Sequence, residues 1–228
     1  MKNIYPTIVF SAKKKYDKEF FKHFSKPDWA IRPELQFLLH KDFRNTREKF
    51  LFAYVDNYFT IYEKRIADNV KQVRLRWESV SKYFYSEVAL MFKGFPWPKG
   101  NYRAYSSIWR MYPRDIRKKT FAFPAEDNRT DFAMKVIAHE MLHFITYDYL
   151  EKKYKLRPSE VSSKENIFWQ FTENLNVLIE NQRKWARFTK NRRSKSYPEC
   201  KKLYLAMERI WDSNNDIDNL ILKTLIRK

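Results

Sequence analysis

The sequence predicts a predominantly helical α+β fold, with an N-terminal helical scaffold followed by a small antiparallel sheet packed on two helices. Three observations carry this reading. Only two glycines, Gly94 and Gly100, occur in 228 residues, which suits helices joined by few tight turns. From Leu51 the apolar residues Val55, Phe59, Tyr62, Ile66, Val70, Val73, Trp77, Val80, Phe84, Val88 and Met91 recur in steps of three and four, the α-helical period. Between residues 102 and 124 the pattern changes. Aromatic residues partly alternate there and prolines end the runs, as in strands.

Each element follows in order. Met1–Phe10 is too short, and too interrupted by Pro6, to read as a signal peptide. As one helix the Leu51–Met91 stripe would span about 60 Å. A globular chain of this size is roughly 45 Å across. A break is therefore expected near Asp68-Asn69, with a protruding helix or a coiled-coil partner as the alternatives. Gly94–Gly100, with Pro96 and Pro98, reads as a hinge between a scaffold (1–93) and a second part (94–228). Tyr102–Tyr112 reads as a strand ended by Pro113. Lys119–Pro124 reads as another, with Phe121 and Phe123 on one face.

A long apolar helix is expected next. Asn128 or Thr130 would cap it, Asp131 completing a capping box with Asn128, and no Gly or Pro interrupts Arg129–Leu156. Ser162 and Glu165 have capping-box spacing for a further helix through Ile167–Ile179. Arg183–Lys195 is a basic stretch without acids. Two short amphipathic helices, about Pro198–Asp212 and Asp216–Arg227, close the chain.

The long apolar helix contains His139-Glu140-Met141-Leu142-His143, the pattern H-E-x-x-H. Two histidines four apart project from one helical face, close enough to hold one metal ion. Glu140, beside the first of them, is placed to accept a proton from water. Polar groups in an apolar helix need partners, and a zinc ion would satisfy both imidazoles. The plainer alternative is a pair of hydrogen-bonded core histidines.

Such a site needs a third ligand. No histidine follows His143. The positions where metzincins carry Gly and a third His are Thr146 and Tyr149. A downstream carboxylate is then expected. Glu165 reads as a helix-starting residue and Glu160 lies in a loop. Glu180 has Lys184 four residues on, a spacing that reads as a solvated ion pair. Glu173 stands apart, because its neighbours at i−4 and i+4, Trp169 and Val177, are apolar. A buried carboxylate needs a cation. The alternative partner is a distant Arg or Lys.

H-E-x-x-H on one helix with a Glu on a second, some thirty residues on, resembles the gluzincin (thermolysin-like) zinc metallopeptidases, and the compact size resembles the small minigluzincins. The likeness covers roughly Tyr102–Ile179. It implies His139, His143 and Glu173 as zinc ligands and Glu140 as general base in peptide-bond hydrolysis. Where family members carry an Asp that orients a zinc-bound His, this chain has Asn176, whose oxygen could accept an imidazole N–H. Lys119–Phe123 would be the sheet edge that binds extended substrate. Tyr147, Tyr149 and Tyr204 are the candidates for stabilising the oxyanion.

Net charge is +19, from 46 basic and 27 acidic residues, which favours polyanions. A nucleic-acid-associated protein whose peptidase acts on bound proteins is therefore one alternative. A non-catalytic helical binding protein with a structural metal is another. The single cysteine, Cys200, excludes an internal disulfide and suits a reducing, cytoplasmic setting. No apolar run reaches membrane-spanning length.

Overall fold

The long apolar stripe breaks at Tyr62. Helix α2 (Arg47–Ile61) ends there and α3 (Glu63–Met91) begins at the next residue, earlier than the expected break at Asp68-Asn69. Asn69 instead stays inside α3, fully buried in line with Ile66 and Val73. Asp and Asn are only mildly unfavourable within a helix, and burial of the flanking stripe outweighs that preference.

The computed structural model describes residues 5–24, 32–40, 42, 45–125, 130–158, 166–189 and 193–226. It is a predominantly helical α+β protein with one four-stranded sheet. Two compact units divide the chain. One comprises Thr7–Ser79 and Asn101–Ile137, the other Met1–Pro6, Val80–Gly100 and Ala138–Lys228.

The first unit holds the sheet. Its strands are β1 (Ile8–Ala12), β2 (Tyr102–Ser107), β3 (Arg114–Asp115) and β4 (Thr120–Pro124), in the order β1-β2-β4-β3. The sheet is mixed rather than antiparallel. β2 runs parallel to both β1 and β4, and only the short β3 is antiparallel to β4. The connection between β2 and β4 is long enough for a parallel crossover. Every residue of β4 and all but Arg103 of β2 are buried, as expected of strands covered on both faces. Lys119–Phe123 is not a free edge. β3 pairs with Thr120 and Phe121, and the Ala122 N–H donates to Pro113 O at 3.0 Å.

Helix α1 (Lys14–Phe24) also belongs to this unit. Phe20 joins Leu35, Leu38, Leu51, Val55, Ile108, Trp109 and Met111 in its core. Asp17 lies among them, 1 % exposed. Its carboxylate accepts hydrogen bonds from the Ser107 hydroxyl (2.6 Å) and the Ile108 N–H (3.3 Å). The indole of Trp109 donates to the Asp17 carbonyl.

The second unit is helical. α4 (Thr130–Tyr154) enters it at Ala138, and α5 (Ile167–Glu180), α6 (Ala186–Thr189), α7 (Lys201–Asn214) and α8 (Ile217–Ile221) follow. Thr130 is the first residue of α4. The Asn128 cap and the Ser162–Glu165 box fall outside the described residues. The cap of α5 is Asn166, whose side chain accepts the N–H groups of Phe168 and Trp169. α3 ends in this unit with Lys93 and Gly94 at positive φ, and the Gly94 N–H closes on Ala89 O at 2.7 Å. From there Lys93 reaches Asp216 and Asp218. Asp218 also accepts from Tyr149, Lys153 and Tyr154, which ties the C-terminal helices to α4.

Asp17 generates a pH prediction. Burial pushes its carboxyl up from 3.8 to about 7, against the smaller opposing effect of its two hydrogen bonds. The native state therefore retains a proton that the unfolded chain releases near pH 4, so stability falls as pH rises from 4 through 7. At about 1.4 kcal/mol per pKa unit the loss is at most about 4 kcal/mol. Urea unfolding at pH 5 and pH 8 should show about 2–3 kcal/mol of it, and Asp17→Asn should remove most of the difference.

Candidate metal centre

Helix α5 is buried nearly all round from Trp169 to Glu180, yet carries Glu173, Asn174, Asn176 and Glu180. Their spacing sorts them into two stripes. Residues 173, 176 and 180 share one helical face, and 174 and 181 share the next. The first stripe meets α4 at the H-E-x-x-H turn.

There the Nε2 atoms of His139 and His143 stand 3.1 Å apart. Glu173 lies against both, Oε2 being 3.3 Å from His139 Nε2 and Oε1 being 3.4 Å from His143 Nε2. One ligand atom from each of the three residues falls within 4.8 Å of the other two. The histidines and Glu173 could thus hold a metal ion. The spacing tests the fit. Bonds of 2.0–2.1 Å to a tetrahedral ion place its ligand atoms about 3.3 Å apart, comparable to the separation of the two Nε2 atoms and to that of each from its nearer Glu173 oxygen. The donor set of two imidazoles and one carboxylate suits such an ion.

The other side of the His139 ring is also held. Its Nδ1 is 2.7 Å from Glu180 Oε1. Glu180 is only 4 % exposed, so it is not the solvated partner of Lys184 that its i+4 spacing implies. Lys184 instead pairs with Glu87 at 3.0 Å. Glu180 ends α5 and faces inward, whereas Lys184 belongs to the following 3-10 turn, Arg183–Trp185. Asn176 does not take the imidazole N–H either. Its amide donates to the His139 backbone carbonyl at 3.1 Å. The carboxylate that orients the ring therefore sits one turn further along α5 than the resemblance implies. The sequence signal for it was the 173/176/180 face, not the acid–base spacing to Lys184.

Charge balance points the same way. Burial alone would lower the basicity of His139, but the Glu180 and Glu173 carboxylates outweigh it and raise its pKa well above the usual value. The ring is drawn to donate on both sides, to Glu180 through Nδ1 and to Glu173 through Nε2. A cation at the cluster would replace the Nε2 proton.

Glu140 is buried on the same turn, 5 % exposed. It is not one of the three residues of the cluster. His143 is fully buried, while 22 % of the His139 side chain remains accessible. Two of the tyrosine candidates are committed elsewhere, Tyr149 donating to Asp218 at 2.6 Å and Tyr204 to Glu208 at 2.7 Å. The ring of Tyr147 lies 6.3 Å from that of His143. In the basic stretch, the Arg187 guanidinium stacks 4.5 Å from the Tyr83 ring centroid, and Lys190, Asn191 and Arg192 lie outside the described residues.

No protein-family model matches the chain, and no curated protein or solved structure matches it. Among the described residues no helix is long and apolar enough to cross a membrane.

The Glu180 contact makes a test. Glu180→Gln keeps the side chain's size and removes its charge. Metal affinity, measured by competition with a chromogenic chelator, is expected to fall about 10- to 100-fold, as for other partners of metal-bound histidines. Lys184→Ala should leave it unchanged.

Proposed function

We propose that this protein is a zinc-dependent peptidase of the gluzincin kind, with His139, His143 and Glu173 as ligands and Glu140 as general base. One observation carries the proposal. The two imidazoles of the H-E-x-x-H turn on α4 and the Glu173 carboxylate of α5 converge in one site, with one carboxylate oxygen within 3.4 Å of each Nε2 and Glu140 on the same turn.

Zinc bound there would acidify water and polarise the scissile carbonyl. The chain's own groups would do the rest. His139 and His143 would bind as neutral imidazoles through Nε2, so His139 must give up its Nε2 proton. Glu180 would hold the His139 ring in that orientation by accepting its Nδ1 proton. Glu140 would take the proton of the attacking water and return it to the leaving amine. Exposure on the His139 side makes that the face from which a peptide would approach. A single buried cysteine suits a reducing compartment such as the cytoplasm.

The decisive variant is Glu140→Gln. Casein cleavage by the zinc-loaded protein is expected to drop by at least about 100-fold, with zinc content unchanged. Undiminished cleavage would remove Glu140 from the mechanism. Failure of the wild-type chain to retain zinc would remove the metal reading itself.

A further inference from the structure

The second stripe of α5 faces a strap. Residues Ser194–Cys200 cross this helix. The Ser194 N–H donates to Asn181 Oδ1 at 2.8 Å, and Asn181 Nδ2 returns a bond to Ser194 O at 3.1 Å. The Ser196 hydroxyl donates to Asn174 Oδ1 at 2.7 Å, and Asn174 Nδ2 donates to Cys200 O at 3.1 Å. The Tyr197 ring packs on Trp169. Asn181 therefore holds the Ser194 backbone through both its N–H and its carbonyl.

Ser194 is 7 % exposed and its hydroxyl donates to Glu180 Oε2. The other oxygen of the same carboxylate, Oε1, holds His139 Nδ1. A continuous chain of hydrogen bonds thus runs from Asn181 through Ser194 and Glu180 to His139, whose Nε2 faces His143 and Glu173. A carboxylate bonded on one oxygen alone can rotate about its last torsion, which is broad and soft. Bonded on both, it presents Oε1 in one direction.

We propose that Ser194 is a positioning residue for the metal centre, its hydroxyl fixing the Glu180 carboxylate so that His139 is held with Nε2 toward the ligand cluster. The inference rests on the metal-holding reading of His139, His143 and Glu173. It goes beyond that reading by assigning part of the site's metal affinity to a residue in the strap. Ser194 touches neither ion nor substrate. It acts through Glu180, so the Ser194–Glu180 hydrogen bond becomes a determinant of how firmly the site holds its metal.

The test uses the full-length chain and Co2+, whose visible absorption reports ligand geometry independently of activity. Wild-type protein should bind Co2+ and give a visible band of tetrahedral intensity. Ser194→Ala should weaken binding about tenfold, at the low end for residues that support a metal-bound histidine, and should shift the band. Ser194→Thr, which retains a hydroxyl, should recover both. Ser196→Ala loosens the strap without touching Glu180, so it should leave affinity and spectrum as in the wild type. In a Glu180→Ala background, Ser194→Ala should have no further effect, because the two would act on one path. Thermal unfolding of each metal-free variant checks that it is folded. Equal Co2+ affinity and spectrum for wild type and Ser194→Ala would overturn the inference, as would an equal loss in Ser196→Ala or additive losses with Glu180→Ala. Absence of Co2+ binding by the wild type would overturn the metal reading and this inference with it.

Discussion

Two imidazoles of α4 and two carboxylates of α5 share one buried space, and the helical unit is built around that constraint. Removing a carboxylate from water costs several kcal/mol unless a cation and hydrogen bonds replace the solvent. Glu173 and Glu180 are both nearly inaccessible, and His139 lies between them. The geometry is satisfied by a proton shared among these groups or by a cation at the Nε2 atoms. It is not satisfied by an apolar α5. The helix is therefore buried all round while remaining polar on the face that meets the histidines.

The surrounding contacts hold that arrangement from several directions. Asn176 anchors the backbone of His139, and Glu180 anchors its ring. Asn174 and Asn181 bind the strap on the neighbouring face of α5. Further along α4, Tyr149, Lys153 and Tyr154 converge on Asp218, so the C-terminal helices are fastened to the same helix that carries the histidines. Charged groups that look available in the sequence are also in use. Lys184 is bound to Glu87 and Arg187 is stacked on Tyr83.

The sheet unit shows a different economy. Asp17 sits in an aromatic and aliphatic core with two hydrogen bonds, and among the described residues no cation contacts its carboxylate. A neutral acid is the inexpensive state there. The two units thus solve the same problem in opposite ways. One raises a buried acid's hold on its proton, and the other surrounds its acids with imidazoles.

Periodicity and spacing by themselves determined the predominantly helical α+β class, the helices around residues 139 and 173, the shared face of His139 and His143, and an acid at Glu173 that needs a partner. These features follow from local rules: a helix sets which side chains share a face, and an acid between apolar neighbours must find a partner inside. The break at Tyr62, the parallel strands, the inward turn of Glu180 and the use of Ser194 were decided only by the tertiary structure. A parallel pairing depends on how a long connection returns, and no short sequence pattern records that. An i+4 acid–base pair looks the same in sequence whether its helix face is wet or dry. What turned Glu180 toward His139 was burial of α5 on every side, a property of its neighbours rather than of its own residues.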